Sequence, residues 1–236
     1  MQTGGGGAKE PYIEETYDAN GNLIGANLVG YTAIRPYAFS NCTNLALTSL
    51  PNTITRIGSQ AFYGCTSLAL TSLPSGLTSI ESSAFSKCTS LALTSLPSGL
   101  TRIEVGAFYG CTSLALTSLP SGLTSIKSSA FNSCTSLALT SLPSGLTIIG
   151  DYTFYGCTSL ALTSLPNGLT SIGGFAFGSC TGLTTITFQG KPRSIYPSAF
   201  NGCTNLKTIN VPWASGEVAN APWGATNATI NYNYTG

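Results

Sequence analysis

The side chains best equipped for chemistry in this chain are eight cysteines, at positions 42, 65, 88, 111, 134, 157, 180 and 203. Thiolates bind zinc, exchange disulfides and attack carbonyls, but each use needs a partner group. The 236 residues contain no histidine, which removes the commonest general base and the commonest metal ligand together. No C-x-x-C pair exists, so zinc would need ligands from four successive segments, arranged in a line and not a tetrahedron. Neighbouring cysteines of stacked segments would lie about 5 Å apart at Cα, within disulfide range. So even a series, however, gives no reason to pair one neighbour over the other. The pattern reads as a column of buried free thiols, with cysteine used as a small apolar residue. No metal and no other cofactor is expected.

Other charges are scarce. Asp, Glu, Lys and Arg make up 7% of the chain, against roughly 25% in ordinary soluble domains. A net charge of +1 gives no electrostatic basis for binding nucleic acid or an anionic membrane. No apolar run approaches the length of a membrane span, so membrane insertion is not expected. The first residues, MQTGGGGAKE, read as a flexible Gly-rich leader without the basic start and apolar core of a signal peptide. A signal is therefore either absent from this chain or replaced by another route to the protein's destination.

The elements that would carry these residues follow from the cysteine interval, which is 23 at every step. A fixed period in the twenties marks a solenoid, in which each unit touches only its neighbours. With each Cys as position 0, position 3 is Leu in all eight units, from Leu45 to Leu206. Position 15 is Ile in seven units, Ile57 to Ile195, and position 20 is Phe in seven, Phe62 to Phe200. Pro at position 9, followed in five units by Ser-Gly or Asn-Gly, makes a turn between two short extended stretches. The expected fold is a β-rich solenoid of 23-residue units, with short strands and turns and few or no long helices. Residues 1–27 are expected to be the leader and an N-terminal hairpin cap around Asn20-Gly21. The solenoid is expected over 28–206 and a C-terminal cap over 207–236. The period is read as dissolving after Asn210, with Trp213 and Trp223 covering the last core.

The motif L-x(4)-L-P-x-x-L-x-x-I-x(3)-A-F-x-x-C is carried here by Leu68, Leu73-Pro74, Leu77, Ile80, Ala84-Phe85 and Cys88. It resembles the BspA-like, Treponema pallidum-type leucine-rich repeat family, over about residues 28–212. The resemblance implies a leucine-rich-repeat solenoid and a bacterial surface or secreted protein that adheres to host proteins or to other cells. One departure stands out. The family places Ile at position 6, whereas six units here have Leu at 5 and Thr at 6, as in Leu70-Thr71. Unit seven, Thr185-Ile186-Thr187-Phe188, follows the family pattern instead, which leaves the strand register open.

Function must reside where the copies differ. Between Cys42 and Ser179 the charged residues are Arg56, Glu81, Lys87, Arg102, Glu104, Lys127 and Asp151, all at positions 14 to 22. Tyr63, Tyr109, Tyr152, Tyr155 and Phe175 share that window, while position 7 is Ser and position 13 is Thr in each of the first six units. Tyr63, Tyr109 and Tyr155 recur at position 21 of alternate units, each followed by Gly. They read either as an aromatic ladder that grips a ligand or as duplication of a double unit, with Tyr covering the next turn. Glu104 and Lys127 are expected as lateral neighbours. The candidate ligand-binding residues are therefore Tyr63, Tyr109, Tyr155, Arg56, Arg102, Glu81, Glu104 and Lys127. With no catalytic residue in view, the expected function is non-catalytic binding or adhesion to a protein or glycan of a host or neighbouring cell. The alternative is a structural or display module, as in a phage or prophage tail fibre or a surface spacer, with self-association.

Overall fold

The computed structural model describes residues 10–236, so the Gly-rich leader Gly4–Gly7 lies outside the described residues. The first element is the expected hairpin. Strands β1 (Tyr12–Tyr17) and β2 (Leu23–Val29) pair antiparallel from Tyr12↔Val29 to Tyr17↔Leu23. The Asp18 carboxylate accepts from the N–H groups of Asn20 and Asn22, and Gly21 takes φ +80° at the tip. Glycine adopts that left-handed conformation without a Cβ clash. Leu28 of β2 is buried in the core, and the Ile24 carbonyl accepts from Ala46 N–H at 3.0 Å. The hairpin thus covers the first turn of the coil behind it.

Twelve short strands follow: β3 (Ala33–Ile34), β4 (Arg56–Ile57), β5 (Ser79–Ile80), β6 (Arg102–Ile103), β7 (Ser125–Ile126), β8 (Ile148–Ile149), β9 (Ser164–Leu165), β10 (Ser171–Ile172), β11 (Thr185–Phe188), β12 (Ser194–Ile195), β13 (Thr208–Asn210) and β14 (Thr229–Asn231). No helix occurs among the described residues. Positions 14 and 15 form parallel strands from the turn before Cys42 through unit seven, in two sheets: the pair β3–β4 and the six-stranded run β5–β6–β7–β8–β10–β12. The register is 23 residues throughout, for example Ile80↔Ile103. The chain is a β-solenoid of short parallel strands, as its 23-residue period implies.

Each apolar position becomes a column along the axis. Phe39 and the seven position-20 phenylalanines through Phe200 stack with centroids 5.2–5.7 Å apart and planes within 12°. Beside them runs the thiol column, with all eight cysteines free and seven buried. Each later thiol donates to a Phe carbonyl one turn back, from Cys65 to Phe39 through Cys203 to Phe177, at 2.9–3.1 Å. Cysteine is therefore more than a filler here, because its weak S–H donor uses the second lone pair of a buried carbonyl. Thr at positions 1 and 13 stitches neighbouring turns too: Thr66 Oγ1 donates to Thr43 O, and Thr124 Oγ1 to Thr101 O, both at 3.3 Å.

The exchanged Leu-Thr order has a structural consequence. Apolar residues at positions 5 and 8 lie three apart, whereas a strand puts alternate residues on one face. The structure buries both Leu70 and Leu73 and turns Thr71 and Ser72 outward together. Only isolated inter-turn bonds remain there, such as Ala69 N–H to Leu47 O at 3.0 Å. In unit seven Ile186 and Phe188 alternate with Thr185 and Thr187, so a regular strand forms. The second sheet, β9–β11–β13–β14, is accordingly confined to unit six and beyond.

At the C-terminus the coil continues beyond Asn210, contrary to the expectation that the period dissolves there. β14 pairs with β13 in parallel, Ile230 beside Ile209, to make a ninth turn. Gly224-Ala225-Thr226-Asn227 repeats the backbone of Gly202-Cys203-Thr204-Asn205, with Thr226 N–H to Gly224 O at 3.0 Å matching Thr204 N–H to Gly202 O at 2.9 Å. Ala225 stands where the other units have Cys. Trp213 and Trp223 are buried against Phe188, at centroid distances of 5.2 and 6.1 Å, and the Trp223 indole donates to Ala219 O at 2.8 Å.

Candidate functional site

Positions 16 to 22 form a rigid edge that runs the length of the solenoid. Its N–H groups alternate between two partners. Those at positions 18, 20 and 22 donate to the next unit, as in Gln60 to Ser82 O, Phe62 to Ala84 O and Gly64 to Ser86 O at 2.8–3.0 Å. Those at 19, 21 and 23 close tight turns, as in Ala61 to Gly58 O and Cys65 to Phe62 O. The turns need a left-handed residue at position 18, such as Ser83 (φ 53°), and another at 22, such as Lys87 (φ 61°). The Ala and Phe side chains at positions 19 and 20 point into the core. That leaves positions 14, 16–18 and 22 directed outward, joined by position 21 in the units where it is Tyr, which is why chemical variety collects there.

The named candidates lie on this edge, in separate groups. Arg56 and Arg102 are exposed on β4 and β6. A depression of about 330 Å³ beside β3 and β4 brings Arg56 and Glu81 together with Arg35 and Ser59. Glu81 also accepts from Ser79 Oγ at 3.0 Å. Glu104 pairs with Arg102 at 3.8 Å, and the expected pairing with Lys127 is not made. Glu104 directly follows β6, so Arg102 reaches it from within the same turn. Lys127 stands exposed.

The three tyrosines have different surroundings. Tyr63 is half-buried, with Lys87 Nζ 5.4 Å from its ring centroid. Contact with the Tyr63 hydroxyl raises the Lys87 pKa. Tyr109 is 38% exposed. Tyr155 lies over the neighbouring turn, where a Cβ at Gly178 would come within 2.7 Å of its ring. Ser86 and Asn132, at the corresponding place after Tyr63 and Tyr109, are buried. Tyr155 also meets Tyr152 and Phe175, which stack on each other at 5.2 Å. Tyr152 and Phe175 were visible in the variable window, but their stacking needs two left-handed aromatics at position 18, which spacing alone does not disclose.

The thiols take no part in this edge. Burial pushes Cys65 and Cys157 up to about 12 and Cys203 up to about 11, and it raises Cys88, Cys111, Cys134 and Cys180 as well. No group of three or more Cys, Asp or Glu able to hold a metal occurs among the described residues.

Comparison with known proteins agrees with this architecture. The chain matches the family described as BspA type leucine rich repeat region, in six copies spanning residues 32–147 and 126–221. A leucine-rich repeat protein from Bacteroides ovatus superimposes with a TM-score of 0.55 at 21% identity, over 95% of this chain and 76% of that one. The Treponema pallidum leucine-rich repeat protein gives 0.54 at 26% identity, over 82% and 87%. The pneumococcal vaccine antigen PcpA gives 0.60 at 18% identity, over 93% of this chain and 62% of that one. No curated protein matches significantly.

Proposed function

Because the chain belongs to the BspA-type leucine-rich repeat family, we propose that it is a non-catalytic adhesion module displayed on a bacterial surface or secreted from the cell. In this reading the solenoid is a rigid rod, and its position 14–22 edge holds a protein or glycan of another cell. The observation that carries the reading is the confinement, between Cys42 and Ser179, of charge and aromatic variety to one outward edge on an otherwise uniform coil. A surface that selects a partner needs different donors, charges and flat apolar faces at fixed places. The Ser-Thr face at positions 6 and 7 offers six near-copies of one pattern and little basis for selection. Glu81 and Glu104 are held singly, by Ser79 and Arg102, and neither is set opposite a second acid or a base. That favours recognition over hydrolysis.

The test is binding of purified protein to host and bacterial cells, together with the Tyr63→Ala/Tyr109→Ala/Tyr155→Ala variant. Loss of binding with an unchanged far-UV circular dichroism spectrum is expected. Full binding by the folded triple variant contradicts the assignment of the edge.

A further inference from the structure

Position 18 is left-handed in nearly every turn: Tyr37 (φ 63°) fills it in the turn before Cys42, and Gln60, Ser83, Gly106 and Ser129 fill it in the next four units. Units five and six place Tyr152 (φ 57°) and Phe175 (φ 53°) there instead. A bulky aromatic is poorly suited to positive φ, and among the described residues only these two aromatics fill the position in adjacent turns. Their rings stack at 5.2 Å with planes 13° apart. Tyr155 meets Phe175 edge-on at 6.3 Å. Tyr196 of the next turn is 54% exposed and lies beside Gly174, 3.7 Å from where its Cβ would stand. Glycines 173, 174 and 178 keep the floor between these rings low.

Over positions 16 to 22 of units five to seven, Asp151 is the sole charged residue. Its Oδ1 accepts from Gly174 N–H at 2.7 Å, so the carboxylate is fixed beside the rings with Oδ2 available. The charged half of the edge, from Arg56 to Lys127, lies in the earlier units. We infer that Tyr152, Phe175, Tyr155 and Tyr196, with Asp151, form a platform for a neutral glycan. Sugar rings present C–H faces that pack on aromatic rings and hydroxyls that donate to a carboxylate. A sialylated or sulfated chain would meet the Asp151 charge without a compensating cation in these positions. This rests on the edge being a recognition surface and gives one part of it a ligand class.

The experiment uses the full chain on an array of neutral and acidic glycans, with two variants. Tyr152→Ser/Phe175→Ser installs the residue that Ser83 and Ser129 already place in this backbone. Thr71→Ala/Thr94→Ala alters the uniform Ser-Thr face instead. The platform predicts retention on neutral glycans, at least a tenfold loss of affinity in the first variant, retained binding in the second and no fall in melting temperature for the first. No retention on neutral glycans, or retention on acidic glycans alone, overturns it. A lower melting temperature of the Ser variant overturns it by making the aromatics structural, and self-association abolished by that variant overturns it by making the occupant a second copy. Binding lost in the second variant alone removes the platform and the edge together, whereas no retention on neutral glycans with cell binding still lost in the Tyr63→Ala/Tyr109→Ala/Tyr155→Ala variant removes only the platform.

Discussion

Alkaline pH should unfold this protein through its thiols, to an extent set by the number buried. An unfolded cysteine ionises near 9, whereas Cys111 and Cys134 are held far above that by desolvation. The folded chain therefore keeps protons that the unfolded chain releases. Their contribution is fully present below pH 9 and is lost progressively as pH rises toward the folded values. Between pH 9 and 10 each deeply buried thiol should cost about 1 kcal/mol of stability, approaching about 1.4 kcal/mol per pH unit beyond. The double variant Cys111→Ala/Cys134→Ala should lose about 2 kcal/mol less than the parent over that unit. Alanine is the apt replacement because Ala225 fills the same place in the ninth turn. Urea unfolding of both proteins at pH 7.5, 9 and 10, followed by circular dichroism, measures the difference. Tyr and Lys titrate in both and cancel. Parallel pH dependence of parent and variant would refute the thiol column as a buried, protonated element.

Two further outcomes follow from the packing. Phe131→Ala removes a fully buried ring stacked on Phe108 and Phe154, and should cost about 3–5 kcal/mol in chemical denaturation; Phe39→Ala, with one stacking partner, should cost less. Gly190→Ala would drive a Cβ into the Asn167 carbonyl oxygen, and should lower stability by roughly 1–3 kcal/mol in the same assay.

The parts of this fold legible in sequence are those that repeat without interruption. An unbroken 23-residue interval specifies a stack, and a Phe at the same place in successive units can only become a column. Asn20-Gly21 announced its hairpin through the conformational freedom of one glycine. Less legible were features that depend on relations between turns. The ninth turn was hidden because it is a residue shorter from Cys203 and replaces the marker Cys with Ala225, although Gly224-Ala225-Thr226-Asn227 still echoes Gly202-Cys203-Thr204-Asn205. The burial of both Leu70 and Leu73 required a kink that neither helix nor strand periodicity describes. Ser, Gln, Lys, Tyr and Phe at left-handed positions disguised the rule that glycine would have revealed. The position of the variable edge was readable; which side chains meet on it was not, as Glu104 shows by turning to Arg102.

The most direct test of the central claim separates the edge from the uniform face. One variant carries Ser at Arg56, Glu81, Arg102, Glu104 and Lys127 and at the three tyrosines 63, 109 and 155. The other carries Ala at Thr71, Thr94 and Thr117, three outward threonines of the position 6 row. Binding of both to host and bacterial cells is measured against the parent by flow cytometry, with melting curves to establish folding. The edge variant should lose binding, while the face variant keeps it. Binding that survives the edge changes but falls with the threonines would contradict the account and move recognition to the repeated face.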